Sequence, residues 1–140
     1  GLGDVYKRQG SHHLQEMKSY ARIMPAVNQI EINPWLQRPE LVEATKEVGA
    51  IPMAYSPLAR GHKVSDSNLI EVASILNCSP AQVAIKWCID SGAITIPKSS
   101  NRDRIEENFQ SQDIDLTPVK EYFQSMDENY VSGWDPTVEP

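Results

Sequence analysis

The sequence is short of the residues that build most specialised sites. It holds 2 cysteines and 3 histidines in 140 residues. Cys78 and Cys88 lack the paired spacing of a zinc site and are too few for a disulfide framework. Both read as reduced core thiols of a cytosolic protein. His12, His13 and His62 form no ligand constellation, so no metal is expected. Basic charge is scarce as well: 13 Lys and Arg against 19 Asp and Glu leave a net charge of −6. That balance disfavours nucleic acid and anionic membranes, which bind through clustered cations. No apolar run approaches the ~20 residues that cross a bilayer, and no signal-peptide pattern opens the chain. Internal repeats and low-complexity stretches are absent.

What is present is a globular composition, 40% hydrophobic and 23% charged, with apolar material for one core. Residues 1–9 have no apolar periodicity and stop abruptly before a clear helical pattern. They read as a foreign, adapter-derived segment and are set apart from the domain expected over 10–140.

From Leu14 the chain alternates between helical and strand patterns. Leu14, Met17 and Ala21 predict a short helix, and residues 26–32 alternate like a strand until Asn33-Pro34. Pro39 suits a helix start, Leu41, Ala44, Thr45 and Val48 recur at helical spacing, and Gly49 suits the stop. A strand follows over Ile51–Tyr55. Leu69, Val72, Ala73 and Leu76 mark the next helix, and Ser79-Pro80-Ala81-Gln82 is a capping box that starts another. Gly92 ends it, and Ala93–Ile96 forms a third strand. Ile105 and Phe109 mark a helix; Thr117-Pro118 opens a last one carrying Val119, Tyr122, Phe123 and Met126. The tail from Val131 is expected to be irregular. Strand–helix alternation argues for a parallel α/β sheet. Three parallel strands cannot close a barrel, and a (β/α)₈ barrel takes ~250 residues. The chain therefore reads as part of a larger fold.

Three segments carry a family likeness. Val27-Asn28-Gln29-Ile30-Glu31-Ile32-Asn33-Pro34 resembles the sixth barrel strand of aldo-keto reductases. Ala54-Tyr55-Ser56-Pro57-Leu58-Ala59-Arg60-Gly61 resembles the end of strand seven and its loop. Ile96-Pro97-Lys98-Ser99-Ser100-Asn101-Arg102, running on to Arg104, Glu107 and Asn108, resembles the signature after strand eight. Order and separation agree, and the wording is similar to diketogluconate and glyoxal reductases. The resemblance implies the C-terminal part of a (β/α)₈ TIM barrel, about strands six to eight with their helices. It implies NADPH as cofactor and, in a full-length parent, reduction of small aldehydes or ketones to alcohols. The alternatives are an NADPH-binding half-barrel without catalysis, and a non-functional fragment.

The same segments suggest chemistry. A lysine, hydroxyls and an arginine at a strand end leading into a helix make an anion site, because helix N–H groups point outward there. The resemblance assigns Lys98, Ser99, Ser100, Asn101 and Arg104 to the 2′-phosphate of NADPH, and Glu107 and Asn108 to the adenine amine. On composition alone, the same residues make a solvated basic patch and ordinary helix surface. Tyr55, at a strand end, can stack on a nicotinamide ring or pack as a core tyrosine. Gln29 suits the nicotinamide carboxamide or an interior hydrogen bond, while Ser56 and Leu58 resemble residues along the pyrophosphate path. Trp35 and Trp134 serve equally as substrate-pocket walls or as packing. In the family, the catalytic Tyr, Lys, Asp and His all precede this segment, so no catalytic residue is expected in this chain.

Overall fold

The backbone is punctuated at helix ends by residues in the left-handed region. Residues 10–135 are described by a computed structural model; segment 1–9, expected to be foreign, lies outside the described residues. Helix α1 spans Ser11–Met17, strand β1 Val27–Glu31, helix α2 Pro39–Glu47 and strand β2 Ile51–Tyr55. Helices α3 and α4 follow over Ser67–Ile75 and Pro80–Asp90, then strand β3 over Ile94–Thr95 and helix α5 over Arg102–Gln110.

Helices α2 and α4 stop where Gly49 (φ 80°) and Gly92 (φ 85°) turn left-handed, a geometry open to glycine without a Cβ clash. At each stop, two N–H groups fold back on the last turn: Gly49 and Ala50 onto Lys46 and Thr45, Gly92 and Ala93 onto Ile89 and Cys88. This is the Schellman arrangement, which satisfies otherwise orphaned carbonyls. Asn77 (φ 51°) does the same for α3. Helix α4 begins as expected, with the Ser79 hydroxyl accepting from Gln82 N–H at 3.2 Å and the Gln82 side chain accepting from Ser79 N–H at 3.1 Å.

The strands form one parallel three-stranded sheet in the order β1-β2-β3, with Gln29 level with Met53 and Met53 level with Ile94. Alternation gives the sheet two unlike faces. Asn28, Ile30, Ile32 and Ala54 face the helices and are fully buried against residues such as Leu14, Leu41 and Cys88. On the opposite face lie Gln29, Met53 and three isoleucines that stay largely exposed, Ile51, Ile94 and Ile96. A second core gathers Trp35, Leu69, Val72, Val83, Val119 and Phe123.

The last two expected helices both form, each with a feature the sequence did not specify. The last expected helix spans Thr117–Ser125 and winds as 3₁₀. Its β-branched and aromatic residues are weak helix formers, and Val119, Phe123 and Met126 are buried. Helix α5 forms, but its apolar pair Ile105 and Phe109 is 52% and 71% exposed and buries against nothing described.

Candidate functional site

Parallel pairing sends all three strand ends to one end of the sheet, where α/β proteins of this kind bind ligands. The loops leaving β1 and β2 are strained there. Arg38, Ser56, Ala59 and Arg60 all have φ between 45° and 56°, a region that costs an L-residue roughly 1–2 kcal/mol. Asn33 steadies the two loops by donating from its amide to the Ser56 carbonyl at 3.4 Å.

On the sheet face away from the helices, the Gln29 amide lies 3.5 Å from the Met53 sulfur, and Tyr55 ends β2 half-buried. The Tyr55 hydroxyl donates to the Trp134 carbonyl at 3.5 Å. Ser56 and Leu58 build the turn itself, their carbonyls accepting from Ala59 and Gly61. The structure thus brings Tyr55, Ser56, Leu58 and Trp134 to the end of β2, with Gln29 mid-strand in β1 on the same face as Tyr55. Trp35 goes elsewhere: it has no exposed surface, packs in the second core, and donates from its indole to Asp66 at 3.2 Å.

The second group follows β3. Asn101 caps α5, its side chain accepting from Arg104 N–H at 3.1 Å, and the Ser99 hydroxyl accepts from Asn101 N–H at 3.1 Å. Lys98, Ser100 and Arg104 are exposed, and neither cation has an acidic partner among the described residues. Arg102, in contrast, pairs with Glu106 at 3.3 Å. The donors left at this helix start therefore fit an anion. Glu107 is engaged: its carboxylate accepts from the Ser79 hydroxyl and its carbonyl from the Gln82 amide, tying α5 to the start of α4. Asn108, half-buried, follows it.

Sequence reasoning missed one group at this end. Glu31, fully buried on the same face as Gln29, accepts from both the N–H and the hydroxyl of Ser132. Its place two residues after Gln29 in the strand alternation was the available signal. Arg38, whose side chain is 7% exposed, pairs with Asp135 at 2.8 Å. Burial raises the pKa of both thiols, Cys78 and far more so Cys88, and keeps them protonated, so neither is an activated nucleophile. Among the described residues no cluster of three His, Cys, Asp or Glu side chains can hold a metal, and no helix is long and apolar enough to cross a membrane.

The pattern of the aldo/keto reductase family matches residues 8–130. The chain belongs to this family. Among its relatives, a 9,11-endoperoxide prostaglandin H2 reductase of Trypanosoma cruzi is 42% identical over 84% of this chain and 42% of its own length. An uncharacterised oxidoreductase of Schizosaccharomyces pombe is 38% identical over 94% of this chain and 48% of its own. The chain thus spans less than half the length of these curated relatives. A Bombyx mori aldo-keto reductase solved in complex with NADP superposes with a TM-score of 0.78 at 30% identity, covering 90% of this chain and 45% of that one. A variant of Gox0644 in complex with NADPH gives 0.85 at 30% identity, covering 96% and 50%. Three parallel strands with helices on one face agree with part of that fold.

Proposed function

We propose that residues 10–140 form strands six to eight, with their helices, of a (β/α)₈ barrel. In this reading they supply the NADPH-holding side of a reductase that converts small aldehydes or ketones to alcohols. The observation that carries the reading is the pair of donor groups at one end of the parallel sheet. One comprises Lys98, Ser99, Ser100, Asn101 and Arg104 around the start of α5; the other is Tyr55 and Gln29 on the inner face. NADPH complexes among the similar structures support the choice of cofactor.

When bound, NADPH supplies the hydride, and the protein supplies position. Lys98 offers a compact charge and Arg104 a planar fork to a phosphate monoester, beside the hydroxyls of Ser99 and Ser100. Tyr55 presents an aromatic face on which a nicotinamide ring can lie, and the Gln29 amide can both donate to and accept from a carboxamide. Ser56 and Leu58 line the path between the two ends. The carboxylate of Glu107 orients α5 through Ser79, and Asn108 remains the nearer candidate for an adenine amine. No residue here is proposed as the general acid; that role falls to the remainder of the barrel. A half-barrel that binds NADPH without chemistry is the second reading, favoured by the same unpaired cations.

The test measures NADPH and NADH affinity in the longest natural chain carrying this segment. A phosphate contact through a charged hydrogen bond contributes about 1.5–3 kcal/mol, so Lys98→Ala or Arg104→Ala should each weaken NADPH binding roughly 10–100-fold. NADH affinity should stay within about twofold, because it lacks the 2′-phosphate. Equal losses for both cofactors would remove these residues from a phosphate site.

A further inference from the structure

The segment from Asp127 to Asp135 crosses the end of the sheet as a strap. The Trp35 carbonyl accepts from Glu128 N–H at 3.1 Å and from Tyr130 N–H at 3.0 Å. Farther out, His62 Nδ1 lies 2.9 Å from the Tyr130 hydroxyl, and Lys63 pairs with Glu128. Those side-chain ties lie at the surface, where ion pairs contribute little. Two further ties each reach a buried side chain, Arg38 or Glu31. The first, Arg38 to Asp135, is incompletely satisfied, since Arg38 Nε and Nη1 find no partner among the described residues. The second is complete: Glu31, with no exposed surface, receives the Ser132 N–H at 3.2 Å on each oxygen and the Ser132 hydroxyl as well.

Glu31 is also placed to matter for the site. It lies level with Tyr55 in the sheet register. Two residues beyond Ser132, the Trp134 carbonyl meets the Tyr55 hydroxyl, and Trp134 remains 43% exposed. Gly133 lies between them, so close to the Arg60 guanidinium that an added Cβ would stand 2.5 Å from its nitrogen. A carboxylate buried in the sheet therefore fixes where an exposed indole stands, through a strap whose surface ties are weak.

We propose that Glu31 is a positioning residue: by latching Ser132 it holds the strap and Trp134 as a fixed wall beside Tyr55, and so selects carbonyl substrates by bulk. The effect on substrates rests on the reductase reading above; the latch itself does not. A carboxylate accepts from both Ser132 donors at charge-assisted strength, whereas the neutral amide of Glu31→Gln keeps one acceptor oxygen and can satisfy Ser132 only if the hydroxyl turns to accept. The strap's tie to the sheet at Ser132 is then weakened while the strand keeps its shape.

The experiment uses the longest natural chain carrying the segment, with Glu31→Gln, Ser132→Ala and Ser132→Thr. Hydrogen exchange should quicken about tenfold at the amides of 128–134 in Glu31→Gln, and about threefold in Ser132→Ala, with α3 and α4 unchanged. Ser132→Thr, which keeps the hydroxyl, should restore the slow rates. Steady-state kinetics should show KM for a bulky aromatic aldehyde raised about five- to tenfold, with kcat and the KM for a two-carbon aldehyde within about twofold. Strap exchange that is unchanged in both damaging variants overturns the latch. So does exchange that rises equally in α3 and α4, which would make Glu31 a general stabiliser. If the unaltered chain binds no NADPH, the reductase reading fails, and the exchange rates alone decide the latch.

Discussion

Between the sheet and α2, two polar side chains are sealed from water. Asn28 and Thr45 have no exposed surface; Asn28 Nδ2 donates to Thr45 Oγ1 at 3.1 Å, and that hydroxyl donates to the Leu41 carbonyl at 2.8 Å. Thr45→Val preserves the volume and removes the acceptor, leaving an Asn28 N–H stranded in an apolar layer. The expected cost is about 1–3 kcal/mol, set by desolvation of the orphaned donor. Thr45→Ser keeps the hydroxyl, removes one methyl and should cost only about 0.8 kcal/mol. Urea unfolding at unchanged m-value measures both, and a Val variant no less stable than the Ser variant would mean that the bond contributes nothing. Strand alternation puts Asn28 on the face of Ile30 and Ile32, but the partner that makes its burial tolerable stands in another element, 17 residues on, and is not marked locally. Strand alternation marks the face on which Glu31 lies, but its partner Ser132, 101 residues away, leaves no local signal. The shared face of Gln29 and Tyr55, and the position of Tyr55 at the end of β2, were readable because strand alternation and a strand boundary are local signals.

At the scale of elements, signals carried by a few adjacent residues were readable. Gly49 and Gly92 stop their helices where the sequence puts them, and the Ser79–Gln82 box starts α4. The helix after Thr117-Pro118 was readable, but not its 3₁₀ winding, because its apolar spacing does not specify one and its packing partners are distant in sequence. Its entry shows how that segment is held. Asp115 accepts from the Thr117 hydroxyl and from Thr117 N–H, the latter at 2.9 Å, and these bonds lower its pKa from the ordinary carboxylate value. A carboxyl whose folded pKa is depressed contributes stability above its unfolded pKa, and that contribution is lost as pH falls through the folded one. Asp115→Asn should therefore lower the urea midpoint at neutral pH and converge on the parent in strong acid. Parallel curves at all pH values would show that the Asp115 charge is irrelevant to this turn.

On the scale of the molecule, the helix-facing side of the sheet is finished and the other side is not. Ile51, Ile94 and Ile96 remain 49%, 41% and 40% exposed, and α5 leaves Ile105 and Phe109 outward. An apolar face beside open strand edges invites association unless something covers it. The barrel reading says that the preceding strands cover it, with side chains from alternate strands filling the interior in layers. A charge at Ile94 separates the possibilities, because its effect should change sign with context. In residues 10–140 expressed alone, Ile94→Glu places the carboxylate in water, and the soluble yield should rise. In the longest natural chain, the same carboxylate enters a packed interior without a partner, and the urea midpoint should fall by the equivalent of several kcal/mol, ~3 or more. Opposite responses require a covering layer over this face. Equal tolerance in both chains would leave Ile94 at a solvent surface and remove the ground for placing these strands in a closed barrel.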